Sequence, residues 1–185
     1  MDKQTKELSQ VNQIDKLHLG NYNQCSIGLT CRPLTQNNSS FVTYKEDFNC
    51  DILLTLLEDC EIMFYGLDQI EKLAQEQGIT QLRYPIPDNS VPSNEEDLHK
   101  FINQQLLPQL NNKKNIIIHC FAGLNRTGTI GACVLLEINP DINDQQAIKI
   151  IRDTRKGSIS HSGQDEFITK YYQYLQKQRQ QTENK

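Results

Sequence analysis

Residues 116–129 read IIIHCFAGLNRTGT, and the fold turns on how this stretch is read. Three consecutive isoleucines before His119 and Cys120 suit a strand buried on both faces, because β-branched side chains pack well on a pleated surface. A short loop containing Gly123 follows. Arg126-Thr127-Gly128 then opens RTGTIGACVLLEI (126–138), which is apolar on nearly all sides and therefore reads as a buried helix, ended by Asn139-Pro140. A strand, a tight loop and a buried helix in succession form the working unit of an α/β sheet.

The flanking sequence repeats that alternation. Upstream, DILLTLLED (51–59) gives a buried strand in its first half. LDQIEKLAQEQG (67–78) predicts a helix with Leu67, Ile70, Leu73 and Ala74 on one face and Gly78 as its stop. ITQLRYPIPD (79–88) is a strand that runs into a loop, and Ser93 with Glu96 predicts a capping box. The helix after it turns Leu98, Phe101, Ile102 and Leu106 inward. LHLGN (17–21) and CSIGLTCRP (25–33) read as short strands near a sheet edge, and TQNNSS (35–40) as a loop.

Downstream, Asn143 with Gln146 caps a helix that carries Ala147, Ile150, Ile151 and Thr154 inward. A last helix from Gly163 buries Phe167, Tyr171 and Tyr174. The whole predicts a single-domain α/β three-layer sandwich over 14–177, with a mainly parallel sheet of about five strands flanked by helices. A flexible segment is expected at 1–13 and a frayed tail at 178–185.

Composition narrows the function classes. With 37% hydrophobic and 23% charged residues, the chain has the balance of a soluble globular domain. Its formal net charge is -4 and no stretch gathers enough Lys or Arg for a nucleic-acid footprint. The polar start, MDKQTKELSQVNQ, lacks the apolar core of a signal peptide, and no apolar run approaches the ~20 residues that span a bilayer. Six cysteines without a CxxC pair then read as reduced thiols, so a cytoplasmic setting is expected. Four scattered histidines give no metal site.

The loop itself carries the chemistry. In α/β sheets ligands sit beyond the C-terminal ends of the strands, where backbone N–H groups of a loop and a helix N-terminus converge. Phe121, Ala122, Gly123, Leu124 and Asn125 would supply such an anion cradle, and Arg126 adds a planar fork suited to two phosphate oxygens. Cys120 lies at its floor, where the field that holds a phosphate also favours a thiolate nucleophile. His119 is placed to hydrogen-bond the loop, and Thr127 to donate to the sulfur. A nucleotide P-loop would need a lysine that this loop lacks.

The stretch resembles the C-x5-R-[ST] signature of the cysteine-dependent protein tyrosine and dual-specificity phosphatases. That family takes a general acid from an aspartate on an earlier loop, and YPIPDNSVP offers Asp88. IRDTRKGSISHSGQDEF is similar to the R-x-x-R-x-G-x-I…Q segment of the kinase-associated phosphatases, which act on cyclin-dependent kinases. PIPD and SIGLTCRP resemble two more of their elements, so the likeness runs over most of residues 17 to 175. It implies that Gln164 helps to place the hydrolytic water.

The resemblance further implies a monomeric protein phosphatase without cofactor or metal. It would act on phosphotyrosine or phosphoserine/threonine through a phosphocysteine, with a cyclin-dependent kinase or another kinase as the implied partner. Phe121 and Leu124 stand where phosphoinositide phosphatases carry lysines. Asn125 in N-R-T-G resembles the RNA 5′-triphosphatases, which keeps that activity as an alternative, with a phospho-binding pseudophosphatase as another. Cys31 and Cys133 are candidate redox partners of Cys120.

Overall fold

Ile116–His119 forms β5, the middle strand of a five-stranded sheet ordered β1-β2-β5-β3-β4 in this computed structural model, which describes residues 13–20, 24–35 and 38–183. The expected flexible segment at 1–13 lies outside the described residues except for its last position. Its neighbours are β2 (Ile27–Thr30) and β3 (Ile52–Thr55), both parallel to it, with Leu29 and Leu54 each opposite Ile118. β4 (Thr80–Arg83) extends the sheet beyond β3, and β1 (Asp15–Leu17) pairs antiparallel with β2. Ile116, Ile117 and Ile118 have no exposed surface. Each contributes roughly 1.5–3 kcal/mol of burial, which fixes this strand at the centre of both layers.

Two helical layers cover the sheet. On one side lie α1 (Ser39–Glu46) and α3 (Ile70–Glu76), which bury Phe41, Tyr44, Ile70 and Ala74 against Leu53 and Ile117. α2 (Asp59–Phe64) is a short helix with no buried residue, standing at the C-terminal end of β3. On the other side, α4 (Glu95–Phe101) passes through a π turn (Ile102–Leu106) into α5 (Leu107–Asn111). Pro108 cannot donate to the carbonyl four residues back and its ring crowds that carbonyl, so the widened turn relieves the clash. α6 (Asn125–Ile138) runs through the centre of this layer, flanked by α7 (Asp144–Thr154) and α8 (Gln164–Glu183).

Several expectations need correction. β2 does lie near a sheet edge, but the edge strand beside it is Asp15–Leu17, earlier than the expected LHLGN (17–21). Ser39 and Ser40 of the expected loop belong to α1, whose buried Ser40, Phe41 and Tyr44 keep the helical three-to-four spacing. The cap of α4 is Asn94, not Ser93: its side chain accepts from Asp97 N at 2.8 Å, and Asn caps as well as Ser does. In α7 the buried positions are Ala147, Ile148 and Ile151, while Ile150 and Thr154 are half-buried. α8 runs to Glu183, with Leu175 buried and Arg179 Nη2 donating to Leu136 O at 2.7 Å.

Candidate active site

β5 delivers Cys120 to the C-terminal edge of the sheet, and α6 begins five residues later, so residues 120–125 wrap one point. Cys120 is 3% exposed, and its Sγ accepts from Gly123 N at 3.3 Å. Gly123 can do this only as glycine. Its φ is +71°, and a Cβ there would stand 2.1 Å from Thr30 O at the end of β2. The loop is thus pressed against the neighbouring parallel strand, and Arg32 N donates to Phe121 O at 2.9 Å.

Two further groups turn the loop amides inward. Arg155 Nε donates to Gly123 O at 2.8 Å and its Nη2 to Ala122 O at 3.3 Å, while Nη1 pairs with Asp15. With those carbonyls held outward, the N–H groups on the other side of each peptide face the pocket. Behind the cysteine, Gln81 Nε2 donates to Thr55 Oγ1 at 2.7 Å, which leaves the threonine hydroxyl to donate to His119 Nε2 at 2.9 Å. The other ring nitrogen, Nδ1, lies 3.2 Å from Cys120 O and donates to it. Burial holds His119 neutral and lowers its pKa to about 4, so the chain of donors is fixed at neutral pH.

Arg126 is 2% exposed, and both of its terminal nitrogens are hydrogen-bonded. Its Nη1 and Nη2 donate to the two oxygens of Glu61 at 2.6 and 2.8 Å, a bidentate pair. Nη1 also donates to Ile86 O at 2.9 Å, which ties down the loop before Asp88, and Nη2 to Asp88 Oδ1 at 3.0 Å. Burial is the largest single influence on Glu61 and opposes its ionisation, but the Arg126 hydrogen bonds, the Glu58 amide and the Arg126 charge together outweigh it and hold the carboxyl below its ordinary range. Asp88 sits on the opposite rim, its side chain 63% exposed.

Sequence reasoning therefore brings Cys120, Arg126, Asp88, His119 and the loop residues to one place. Three further expected residues have these surroundings. Thr127 Oγ1 is buried without a hydrogen-bond partner, so the donation to the Cys120 sulfur is not formed. Asn125 turns its amide oxygen to Ser160, accepting from N at 2.9 Å and Oγ at 3.0 Å, and so closes the back of the site. Gln164 is buried as the first residue of α8: its Oε1 accepts from His161 N at 3.3 Å and its Nε2 has no partner. Cys133 is buried, and burial raises its pKa well above the usual thiol value. Among the described residues no group of His, Cys, Asp and Glu is placed to hold a metal ion, and no helix is long and apolar enough to cross a membrane.

Glu61, Arg155, Thr55 and Gln81 were given no role in the sequence reading. Signals existed for three of them: Arg155 is the second arginine of the R-x-x-R-x-G-x-I segment. Glu61 closes a capping box with Glu58, and Thr55 is a buried hydroxyl at the end of an otherwise apolar strand.

Comparison with known proteins agrees with this geometry. A family model described as "Polymorphic toxin system, DSP-PTPase phosphatase" matches residues 32–139. Cyclin-dependent kinase inhibitor 3 of Rattus norvegicus is 34% identical over 118 residues, 62% of this chain and 50% of that protein. Protein tyrosine phosphatase type IVA 3 of Bos taurus is 30% identical over 149 residues, 77% of this chain and 76% of that one. The chain spans about half the length of the first of these relatives. A crystal structure of a kinase-associated phosphatase, with its catalytic-site cysteine changed to serine, superposes with a TM-score of 0.79 at 25% identity. That match covers 89% of this chain and 96% of the other. Because the family model spans more than half of the sequence and the relatives agree with it, this chain belongs to the dual-specificity and protein tyrosine phosphatase family and resembles its kinase-associated members.

Proposed function

We propose that this chain is a metal-independent protein phosphatase that cleaves phosphotyrosine or phosphoserine/threonine esters through a phosphocysteine. The observation that carries the reading is the Asp88–Arg126 contact of 3.0 Å above a Cys120 sulfur that already accepts a loop amide. Glu61 takes one edge of the Arg126 guanidinium, so an incoming phosphoryl group meets the Nε–Nη2 edge and displaces Asp88 from it. Displacement carries the carboxyl toward the leaving oxygen.

In the first step the Cys120 thiolate attacks phosphorus as the bond to the ester oxygen breaks, and protonated Asp88 gives that oxygen its proton. In the second step water attacks the phosphocysteine, its proton passes to the Asp88 carboxylate, and the S–P bond breaks to return thiolate and phosphate. Loop amides and Arg126 stabilise the charge on the equatorial oxygens in both steps. Gln164, with an unpartnered buried Nε2, is the group we assign to placing the water. A kinase is the partner that the likeness to cyclin-dependent kinase inhibitor 3 suggests, and cysteines without a CxxC pair fit a reducing cytoplasm.

The test is a panel of phosphotyrosine and phosphothreonine peptides, phosphoinositides and triphosphate-ended RNA, with Cys120→Ser as the blank. Turnover of the peptides by wild type alone supports the reading. Release of phosphate only from RNA ends or lipids would replace it.

A further inference from the structure

α2 places two large apolar side chains in water beside the catalytic loop. Phe64 is 82% exposed and Met63 77% exposed, and with Phe121 they are the exposed large hydrophobic residues of the described chain. Single exposed apolar residues need no explanation, but these are contiguous. Phe64 packs edge-on to Tyr65 with ring centroids 5.0 Å apart, and Tyr65 stacks on Phe121 at 4.6 Å and 29°. Phe121 is the residue after Cys120. An aromatic ladder therefore runs outward from the nucleophile.

A cation completes it. The Arg32 guanidinium lies 5.3 Å from the Phe121 ring centre and 5.5 Å from that of Tyr65, and no carboxylate of the described residues pairs with it. Such a cation over aromatic faces is held in place yet keeps donors for an anionic visitor. The inner face of the same short helix carries Glu61, which grips Arg126. The ladder is thus continuous with the pocket.

We propose that this ladder is the docking wall for the substrate polypeptide, taking a large apolar side chain that flanks the phosphorylated residue while Arg32 meets an acidic group or the phosphate edge. The proposal rests on the phosphatase reading and deepens it by naming the substrate class: phosphoproteins with a bulky apolar residue near the phosphorylated one. Charge and continuity favour this occupant. The wall starts beside the nucleophile, so a chain seated in the pocket lies within reach of it, and its cation matches an anionic peptide.

The experiment uses Met63→Gln/Phe64→Gln, changes at exposed positions outside the catalytic loop. Three substrates are compared: para-nitrophenyl phosphate, a phosphopeptide with Leu or Phe on both sides of the phosphorylated residue, and the same peptide with Ser there. The expected result is unchanged kcat/KM on the aryl phosphate and a fall of about tenfold on the apolar peptide, carried by KM, with little change on the Ser peptide. Equal effects on both peptides, or no effect on either, would overturn the docking wall. So would a wild-type dimer in sedimentation that the double variant abolishes, or binding to anionic lipid vesicles that it abolishes. Should the aryl phosphate not be turned over at all, the phosphatase reading falls separately. Anisotropy binding of the two peptides to Cys120→Ser, with and without the double change, still decides the wall.

Discussion

Glu61 and Arg126 lie 65 positions apart and share two hydrogen bonds, at 2.6 and 2.8 Å, across the mouth of the candidate site. The arginine side chain is 3% exposed and the carboxylate 12%, so losing Glu61 would leave the buried guanidinium with only Ile86 O and Asp88 as acceptors. The pair orients the guanidinium so that its remaining edge faces the loop that holds Cys120.

Glu61→Ala should therefore lower kcat on a small aryl phosphate by at least about tenfold and destabilise the fold by roughly 2–4 kcal/mol. The carboxyl is held below its ordinary range. Its contribution is present above the usual carboxylate pKa and is lost as pH falls through the depressed value. Thermal melts at pH 7 and pH 4 check this: the gap between wild type and Glu61→Ala should narrow at the lower pH. A constant gap, with unchanged kcat, would remove Glu61 from the site.

Asp88→Ala tests the acid. Aryl and alkyl leaving groups need a proton, and general acids of this kind contribute about 10²–10⁴ in rate. The substitution should cut kcat on phosphopeptides by that order and leave binding intact. It also frees the Arg126 Nη2–H that Asp88 holds at 3.0 Å, so the variant should retain phosphopeptide in pull-downs better than wild type does. Near-wild-type turnover would make Asp88 a turn residue.

Arg155→Met keeps the aliphatic stem but loses the bonds to Gly123 O and Ala122 O, together with the Asp15 ion pair. Without them the loop carbonyls are free to turn in. Vanadate affinity and kcat should fall together, by about tenfold or more, with a modest drop in Tm. Arg155→Lys should not restore them, because one ammonium cannot reproduce the fork. Full activity in either variant would mean that β2 and Gly123 alone set the loop.

His119 gives a stability test in acid. Its pKa is about 4 in the fold, against an ordinary value of 6.5. The unfolded chain therefore binds a proton first, and stability is full above about pH 6.5 and declines as pH falls toward 4. His119→Asn retains an N–H near Cys120 O and removes the titration. Urea midpoints measured between pH 7.5 and 4.5 should fall less steeply for the variant. Parallel curves would show that His119 does not titrate as its burial requires.

Much of this protein was legible without coordinates. The strand of β5, the loop and α6 occupy one continuous stretch, so the apolar run, Gly123 and the Cys120-to-Arg126 spacing can be read directly. Asp88 was found because a resembling acid loop, PIPD, stands at the end of a visible strand. The cap of α7 at Asn143 was local chemistry too, and it formed as the sequence predicts.

The tertiary structure decided what holds those groups in place. Glu61 meets Arg126, Thr55 meets His119 and Arg155 meets Gly123 only because strand order sets β3 beside β5 and packs α7 against α6. No local period encodes those pairings, since each joins residues 32 to 65 positions apart. The same limit hid the aromatic ladder. Tyr65, just past α2, and Phe121, just past β5, become neighbours only in the fold, and a linear pattern of apolar residues cannot tell a side chain that enters the core from one that stacks beside a pocket.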